Sequence, residues 1–400
     1  MRSPAVALVF ISFVVAACSP LASPAPEATG PVIAIASEFP LSDAGEKGAE
    51  RAVAAAVATH PTLRGYRLAY LSLDDNLAGR FDQDRALQNA SSAIADHRVL
   101  GIVGPWNSSI ASLLLPIAGH DDLVMISPSA TADCLTARPK ACLQGATAPA
   151  VATNFFRIAA RNTVAARTAA DFAVDKLGIG RFAVLRDRTG YGRDLSNAFK
   201  SEVAALGAQA VFSGSFSDTD PSYAPLLRQA QAAGAEALFV GGLSDLGACR
   251  VRGAMSGIFP DDAYFISGDG ILDPTCITDA GQKADEHLIA TVSAREPQSV
   301  PAGLKGLVRG KIYDAYNSAA YDCAQILIAA IDHAIQVNNG KIPTREQVLR
   351  AVAATTDFNG ITGTYTFDAN GDAVRPAVSF YYVRDGAWTF WQNAPVSTAR

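Results

Sequence analysis

The sequence has no G-x-S-x-G, no P-loop and no C-x-x-C, and few histidines. Its five, His60, His97, His120, His287 and His333, are scattered near expected helix ends and loops and form no motif. Gly178-Ile-Gly180 lacks the third glycine of a dinucleotide loop, and it ends a helical pattern rather than opening one. An enzyme needs a nucleophile with a base, a metal cluster or a cofactor loop. None is present in the pattern, so catalysis, a metal and a cofactor are not expected. A basic block is also missing, and the net charge is a mild −5, which argues against nucleic acid as a partner. After the first residues no run of 18 uninterrupted apolar residues occurs, so no transmembrane helix is expected in the mature chain.

What is present begins at the N-terminus. Met1-Arg2 precedes an apolar run from Ala5 to Val15, too short to span a bilayer, followed by Val15-Ala16-Ala17-Cys18. Small residues directly before a cysteine resemble a bacterial lipobox. Residues 1–17 are read as a lipoprotein signal peptide, with Cys18 as the lipidated residue. Residues 18–30, rich in Ser, Pro and Ala, are read as a flexible tether. The expected product is exported, in the periplasm or on the cell surface, and touches the membrane through its anchor alone. Export permits disulfides. Cys134 with Cys142 and Cys249 with Cys276 are candidate pairs, and Cys323, in an apolar helical pattern, is expected to be a buried free thiol.

Four hundred residues with 49% hydrophobic and 18% charged content exceed one ordinary core, so two lobes are expected. Short β-rich runs alternate with longer helical patterns. Strands are expected at Val32–Phe39, Arg67–Leu73, Val99–Val103 and Leu123–Ser127, with helices over Ala44–Thr59 and Phe81–His97 and another opening after Gly104. The pattern then restarts with a helix over Thr163–Leu177, a strand at Phe182–Leu185 and a helix over Arg193–Leu206. It ends with a long helix over Ser318–Val337 and a hairpin turning at Asp385-Gly386. This order predicts an α/β fold of parallel sheets flanked by helices. Open sheets of this kind bind ligands beyond the carboxyl ends of their strands. Those ends read Gly104–Ser109, Pro128–Thr131, Asp187–Tyr191, Gly241–Ser244 and Gly268–Gly270. They are small, hydroxylic and acidic, which suits a compact zwitterion held between two lobes. Asp74-Asp75 reads as a capping and loop pair, and Asp368–Asp372 as a hairpin turn despite its likeness to the start of a calcium loop.

Several local signatures occur in order: Gly48–Val53, Asp74-Asp75, Gly104–Ser109, Ile126–Thr131, Asp187–Gly192, and Gly363–Asp368 with Asn370–Asp372. Together they resemble the branched-chain amino-acid (Leu/Ile/Val) family of substrate-binding proteins that serve ABC importers, over about residues 31 to 392. The resemblance implies the two-lobe type I periplasmic-binding fold with three hinge crossovers, closing on a ligand like a clamp. It implies a first lobe of residues 31–158 and 294–360, a second of 159–293 and 361–392, and a tail of 393–400. It further implies a monomer that captures an amino acid or analogue and delivers it to ABC permease subunits. Its carboxylate-binding positions fall on Ser108, Ser129 and Thr131, its ammonium partner on Asp269 and its closing aromatic on Tyr191. Ser108 also stands where a helix N-terminus favours an anion. Ser109 is read as structural. Two aromatic walls of the family pocket are replaced by Ala44 and Leu243, and Trp106 is either a substitute pocket wall or a residue of the lobe surface. Two alternatives stay open: a ligand-sensing domain feeding a membrane receptor, and a binder of aromatic carboxylates.

Overall fold

The chain opens with a strand whose last seven residues are all buried. Such burial requires helices on both faces, because an apolar run with no alternation cannot leave either face wet. This strand, β1 (Val32–Phe39), sits inside a six-stranded sheet. β2 (Tyr66–Asp74) and β3 (Val99–Val103) pair with it in parallel on either side. β4 (Val124–Ser127) and β5 (Phe155–Arg157) extend the sheet beyond β3. Thr62–Leu63 adds a short antiparallel edge to β2. Helices α1 (Ala44–Ala58), α2 (Gln83–Ala95) and α3 (Ser108–His120) connect these strands. The computed structural model describes residues 30–41, 44–137, 154–281, 287–297, 300 and 314–394. The expected signal peptide, Cys18, the tether up to residue 29 and Cys142 lie outside them.

A second sheet follows. It orders as β7 (Gln209–Ser215), β6 (Arg181–Arg186), β8 (Ala237–Gly241), β9 (Phe265–Ser267), β10 (Leu288–Val292), β11 (Ser379–Arg384) and β12 (Ala387–Asn393). The first five run parallel, and the closing hairpin β11–β12 is antiparallel. Helices α4 (Asn162–Asp171), α5 (Gly190–Ala205), α6 (Ala224–Ala232), α7 (Ala248–Ala254) and α8 (Pro274–Ala280) belong to this half. The chain then returns: α9 (Asp314–Val337) packs on α1, β3 and β4, and α10 (Arg345–Ala353) packs on α9. The backbone thus passes between the sheets three times, after β5, after β10 and after α10.

The structure moves several expected boundaries and adds elements. The helix expected to reach Leu177 is regular only to Asp171 and widens into a π turn over Phe172–Lys176. The next helix begins at Gly190 instead of Arg193, because the Thr189 hydroxyl accepts the Gly192 N–H at 2.9 Å and caps it. β5, β10, α8 and α10 were not anticipated. β10 is five fully buried residues, a run too short to classify by periodicity.

Cys249 and Cys276 form a disulfide that ties α7 to α8, with Cα atoms 5.0 Å apart. Cys323 is buried and free. Cys134 is disulfide-bonded, but its expected partner Cys142 is outside the described residues. The turn at Asp368–Asp372 forms as expected, with Asp368 Oδ1 accepting the N–H groups of Asn370 and Asp372. Gly371 has φ +91°, and a Cβ there would meet the Phe155 carbonyl at 2.2 Å. The close approach brings Asp372 onto the fully buried Arg157 at 2.6 Å.

Candidate functional site

A cavity of about 420 Å3 opens between the two sheets at the carboxyl ends of their strands. Trp106, Ser108, Ser129, Thr131, Tyr191 and Asp269 all line it.

On the first sheet's side, β3 runs into Gly104, whose φ of +126° and close approach to the Glu38 carbonyl exclude a side chain. The Gly104–Pro105 bond is cis. Asn107, not a serine, occupies the N-cap of α3, and its side chain makes no capping bond. The first intrahelical bond runs from Ala111 N to Asn107 O, so the N–H groups before it have no partner in the helix. Ser108 does not cap. Its Oγ accepts the N–H groups of Thr131 and Ala132, both at 3.1 Å, and fastens the loop after β4 to the helix start. Its own hydroxyl proton is still available to a ligand. Ser129 donates to the Trp106 carbonyl at 3.0 Å, so its proton is committed inside the protein. Thr131 is different. It is 1% exposed, and its Oγ1 has no hydrogen-bond partner among the described residues. Ser109 also lines the cavity.

On the second sheet's side, Asp269 follows β9 in a short 3-10 turn, Asp269–Ile271. Tyr191 lies on the first turn of α5, is buried, and donates to Asp269 Oδ1 at 2.9 Å while accepting the Gly270 N–H at 3.1 Å. The glycines around Asp269 serve this tyrosine. A Cβ at Gly268 would collide with the Tyr191 hydroxyl, and one at Gly270 would lie 2.9 Å from its ring. The other carboxylate oxygen, Oδ2, accepts the Tyr316 hydroxyl at 2.7 Å. Tyr316 in turn accepts the Ser293 N–H at 3.1 Å. Burial pushes the Asp269 carboxyl up from its ordinary value, and the Tyr316 and Tyr191 donors pull it back in part. A carboxylate in this position gains from a cation, since a buried charge is stabilised by a paired one.

Trp106 is a cavity wall. Its ring stands edge-on to Phe39 and to Tyr316, each at 5.6 Å. Leu243, Phe81 and Pro274 add apolar lining, and Arg80 brings a positive charge to the rim. Tyr316 was the main residue missed. The expected helix began at Ser318, two residues beyond it, and a tyrosine in an apolar helical pattern reads as core. Among the described residues no cluster of His, Cys, Asp or Glu could hold a metal ion.

Two lobes of mainly parallel sheet, crossed three times by the chain and enclosing a polar cavity, define a cleft-type solute-binding protein. The chain belongs to a periplasmic binding protein family, whose model matches residues 34–387. That family binds solutes rather than transforming them, and membership places the chain among exported, periplasmic proteins. Among its relatives is the "Leu/Ile/Val-binding protein homolog 3" of Brucella melitensis biotype 1, 24% identical over 365 residues, covering 90% of this chain and 89% of the relative. Among solved structures, the leucine-binding protein LivK of Thermotoga maritima MSB8 has a TM-score of 0.76 at 25% identity, covering 91% of this chain and 99% of its own. A Desulfitobacterium hafniense ABC-transporter substrate-binding protein in complex with Leu has a TM-score of 0.70 at 21% identity, covering 90% and 99%. The second of these supports the fold alone.

Proposed function

We propose that the protein is the solute-binding component of an ABC importer and captures an α-amino acid in the cavity between its lobes. The observation that carries this reading is the polarity of the cavity. At one side, the Thr131 hydroxyl, without a partner among the described residues, and the N-terminus of α3 offer donors to a carboxylate. At the other, Asp269, held by two tyrosine hydroxyls, offers an anion to an ammonium group. Ser108 contributes its proton and Ser129 orients the loop. Trp106 and Leu243 form the side-chain wall, and Tyr191 aligns Asp269 more than it covers the ligand. Relatives named for Leu, Ile and Val support an amino acid as cargo.

The lobes in this reading are residues 31–158 with 294–360, and 159–293 with 361–392. The protein acts as a monomer, tethered through a lipidated Cys18 beside its permease. Incubating purified protein with each amino acid and with benzoate, and following the melting temperature, tests the reading. A ligand present at 100 times its Kd stabilises by about 2.7 kcal/mol. A shift with one or a few amino acids supports the proposal. No shift with any amino acid overturns it, and a shift with benzoate alone makes an aromatic carboxylate the cargo.

A further inference from the structure

Between β2 and α2 the chain makes a small hairpin, Asn76–Leu77 paired with Arg80–Phe81. Ala78 and Gly79 turn it, with φ of +53° and +87°. Asp74 Oδ1 fixes its base by accepting the N–H groups of Leu41 and Asn76. Gly79, Arg80 and Phe81 form part of the cavity wall. The hairpin belongs to the first sheet's half, yet Arg80 reaches the other half. Its Nη1 donates to Asp218 Oδ2 at 2.9 Å, and its Nη2 donates to the Asp245 carbonyl at 3.1 Å.

The position of this contact gives it meaning. Arg80 follows β2, which lies at the opposite end of the first sheet from β5, where the first crossing leaves. Asp218 follows β7, the edge strand of the second sheet, remote from β10 and β11, where the other two crossings attach. A rotation of the lobes about their crossings moves these far edges most. A contact here is therefore broken early in opening, whereas one beside the crossings can persist, such as Asp133 N to Asp194 Oδ2 near the start of α4.

We propose that Arg80 is a clasp between the lobes, formed in the closed state alone, that sets how long the cleft stays shut and hence how fast a bound ligand escapes. The consequence for the ligand rests on the cavity being the binding site, as proposed above. The clasp is modest by construction. Arg80 and Asp218 have side-chain exposures of 50% and 22%, so water and salt screen them. A modest clasp suits a protein that must reopen to release its cargo. Asp218 is prepared for the role: Ser217 donates to its other oxygen at 3.2 Å, and Arg80 holds its carboxyl below the usual range.

The test needs no ligand. Spin labels at Gln88→Cys on α2 and Gln229→Cys on α6, both exposed, report the separation of the lobes in the ligand-free protein by pulsed dipolar spectroscopy. Arg80→Ala is expected to shift the distances toward the longer, open population, lowering the closed-to-open ratio about 2- to 5-fold, the scale of an exposed ion pair. Asp218→Ala should act in the same direction, and the double variant should add less than the sum of the two. About 1 M NaCl should reproduce part of the effect in the parent and little in Arg80→Ala. Unchanged distances in Arg80→Ala, or strictly additive effects of the two substitutions, overturn the clasp. With whichever amino acid gives the largest thermal shift, Arg80→Ala should raise the dissociation rate by a similar factor and leave the melting temperature of the free protein unchanged. If no amino acid binds, the cargo reading fails and the distance measurement still decides the clasp.

Discussion

The hydroxyl of Tyr316, on a helix packed against the first sheet, donates a 2.7 Å hydrogen bond to Asp269 Oδ2, on a loop of the second sheet. The bond places the anion of the site under the control of both lobes. Tyr316→Phe removes one stabilising donor and keeps the ring against Trp106. The Asp269 carboxyl should then hold its proton to a higher pH. Affinity for an amino acid should fall about 10-fold at neutral pH, as for a lost hydrogen bond to a charged group. The loss should widen as the pH falls. Calorimetric titration from pH 4 to 8 checks this, since a merely structural role would lower affinity equally at every pH.

Thr131 is buried and its hydroxyl has no partner among the described residues, a desolvation cost that a ligand can relieve. Thr131→Val keeps the shape and removes the hydroxyl. The ligand-free melting temperature should stay constant or rise, while affinity for the amino acid should fall about 10-fold. Thermal melting and titration of the same variant separate the two effects. A parallel loss of stability would mean that the hydroxyl has an internal partner.

Arg157 is enclosed by its partners. It pairs with Asp372 at 2.6 Å, donates to Thr136, and donates to the carbonyls of Ala130 and Ala132, at 3.1 and 2.7 Å, on either side of Thr131. Removing one member of a buried pair strands the other and costs about 3–5 kcal/mol. Asp372→Ala should lower the unfolding free energy by that amount in urea titration. It should also weaken ligand binding, although Asp372 lies outside the cavity lining.

Glu38 and Asp75 are fully buried, and Glu38 Oε2 and both Asp75 carboxylate oxygens have no partner among the described residues. Burial first, and then neighbouring carboxylates, push Glu38 up from 4.5 to about 9 and Asp75 up from 3.8 to about 7. Asn89 donates to Glu38 Oε1 at 3.2 Å, and Asp74, Asp82 and Arg85 are the other charges acting on the pair. The folded state therefore keeps protons that the unfolded chain has released. Stability from this pair is present below about pH 4 and declines as the pH rises toward 7 and then 9. Glu38→Gln should flatten the decline, raising the melting temperature at pH 9 by several degrees and changing little at pH 4. Melting curves across that range check it.

The Asp75 result shows where residue type misleads. Asp74-Asp75 reads as a capping and loop pair, but Asp74 serves only the loop, accepting the N–H groups of Leu41 and Asn76, and Asp82 rather than either of them caps α2. Asp75 instead points into the protein beside Glu38. No local signal separates two adjacent aspartates, one half-buried and hydrogen-bonded to the loop and the other fully buried. Ser108 is a similar case. Its place at a strand-to-helix turn was legible, but its bonds join it to Thr131 and Ala132, more than twenty residues away in sequence.

The alternation of apolar runs and helical periods by itself determined two α/β halves, the order of most strands and the loops beyond their carboxyl ends. Those properties follow from local chain geometry, and all six ligand-site candidates fall on those loops or on the adjoining turns. Tertiary structure alone decided which polar groups are already satisfied. The proton of Ser129 is committed, Thr131 is left open, the glycines beside Asp269 make room for Tyr191, and Tyr316 and Arg80 reach across from the other lobe. Hydrogen-bond partners and burial are set by segments far apart in sequence, and they exist only once the two sheets face each other.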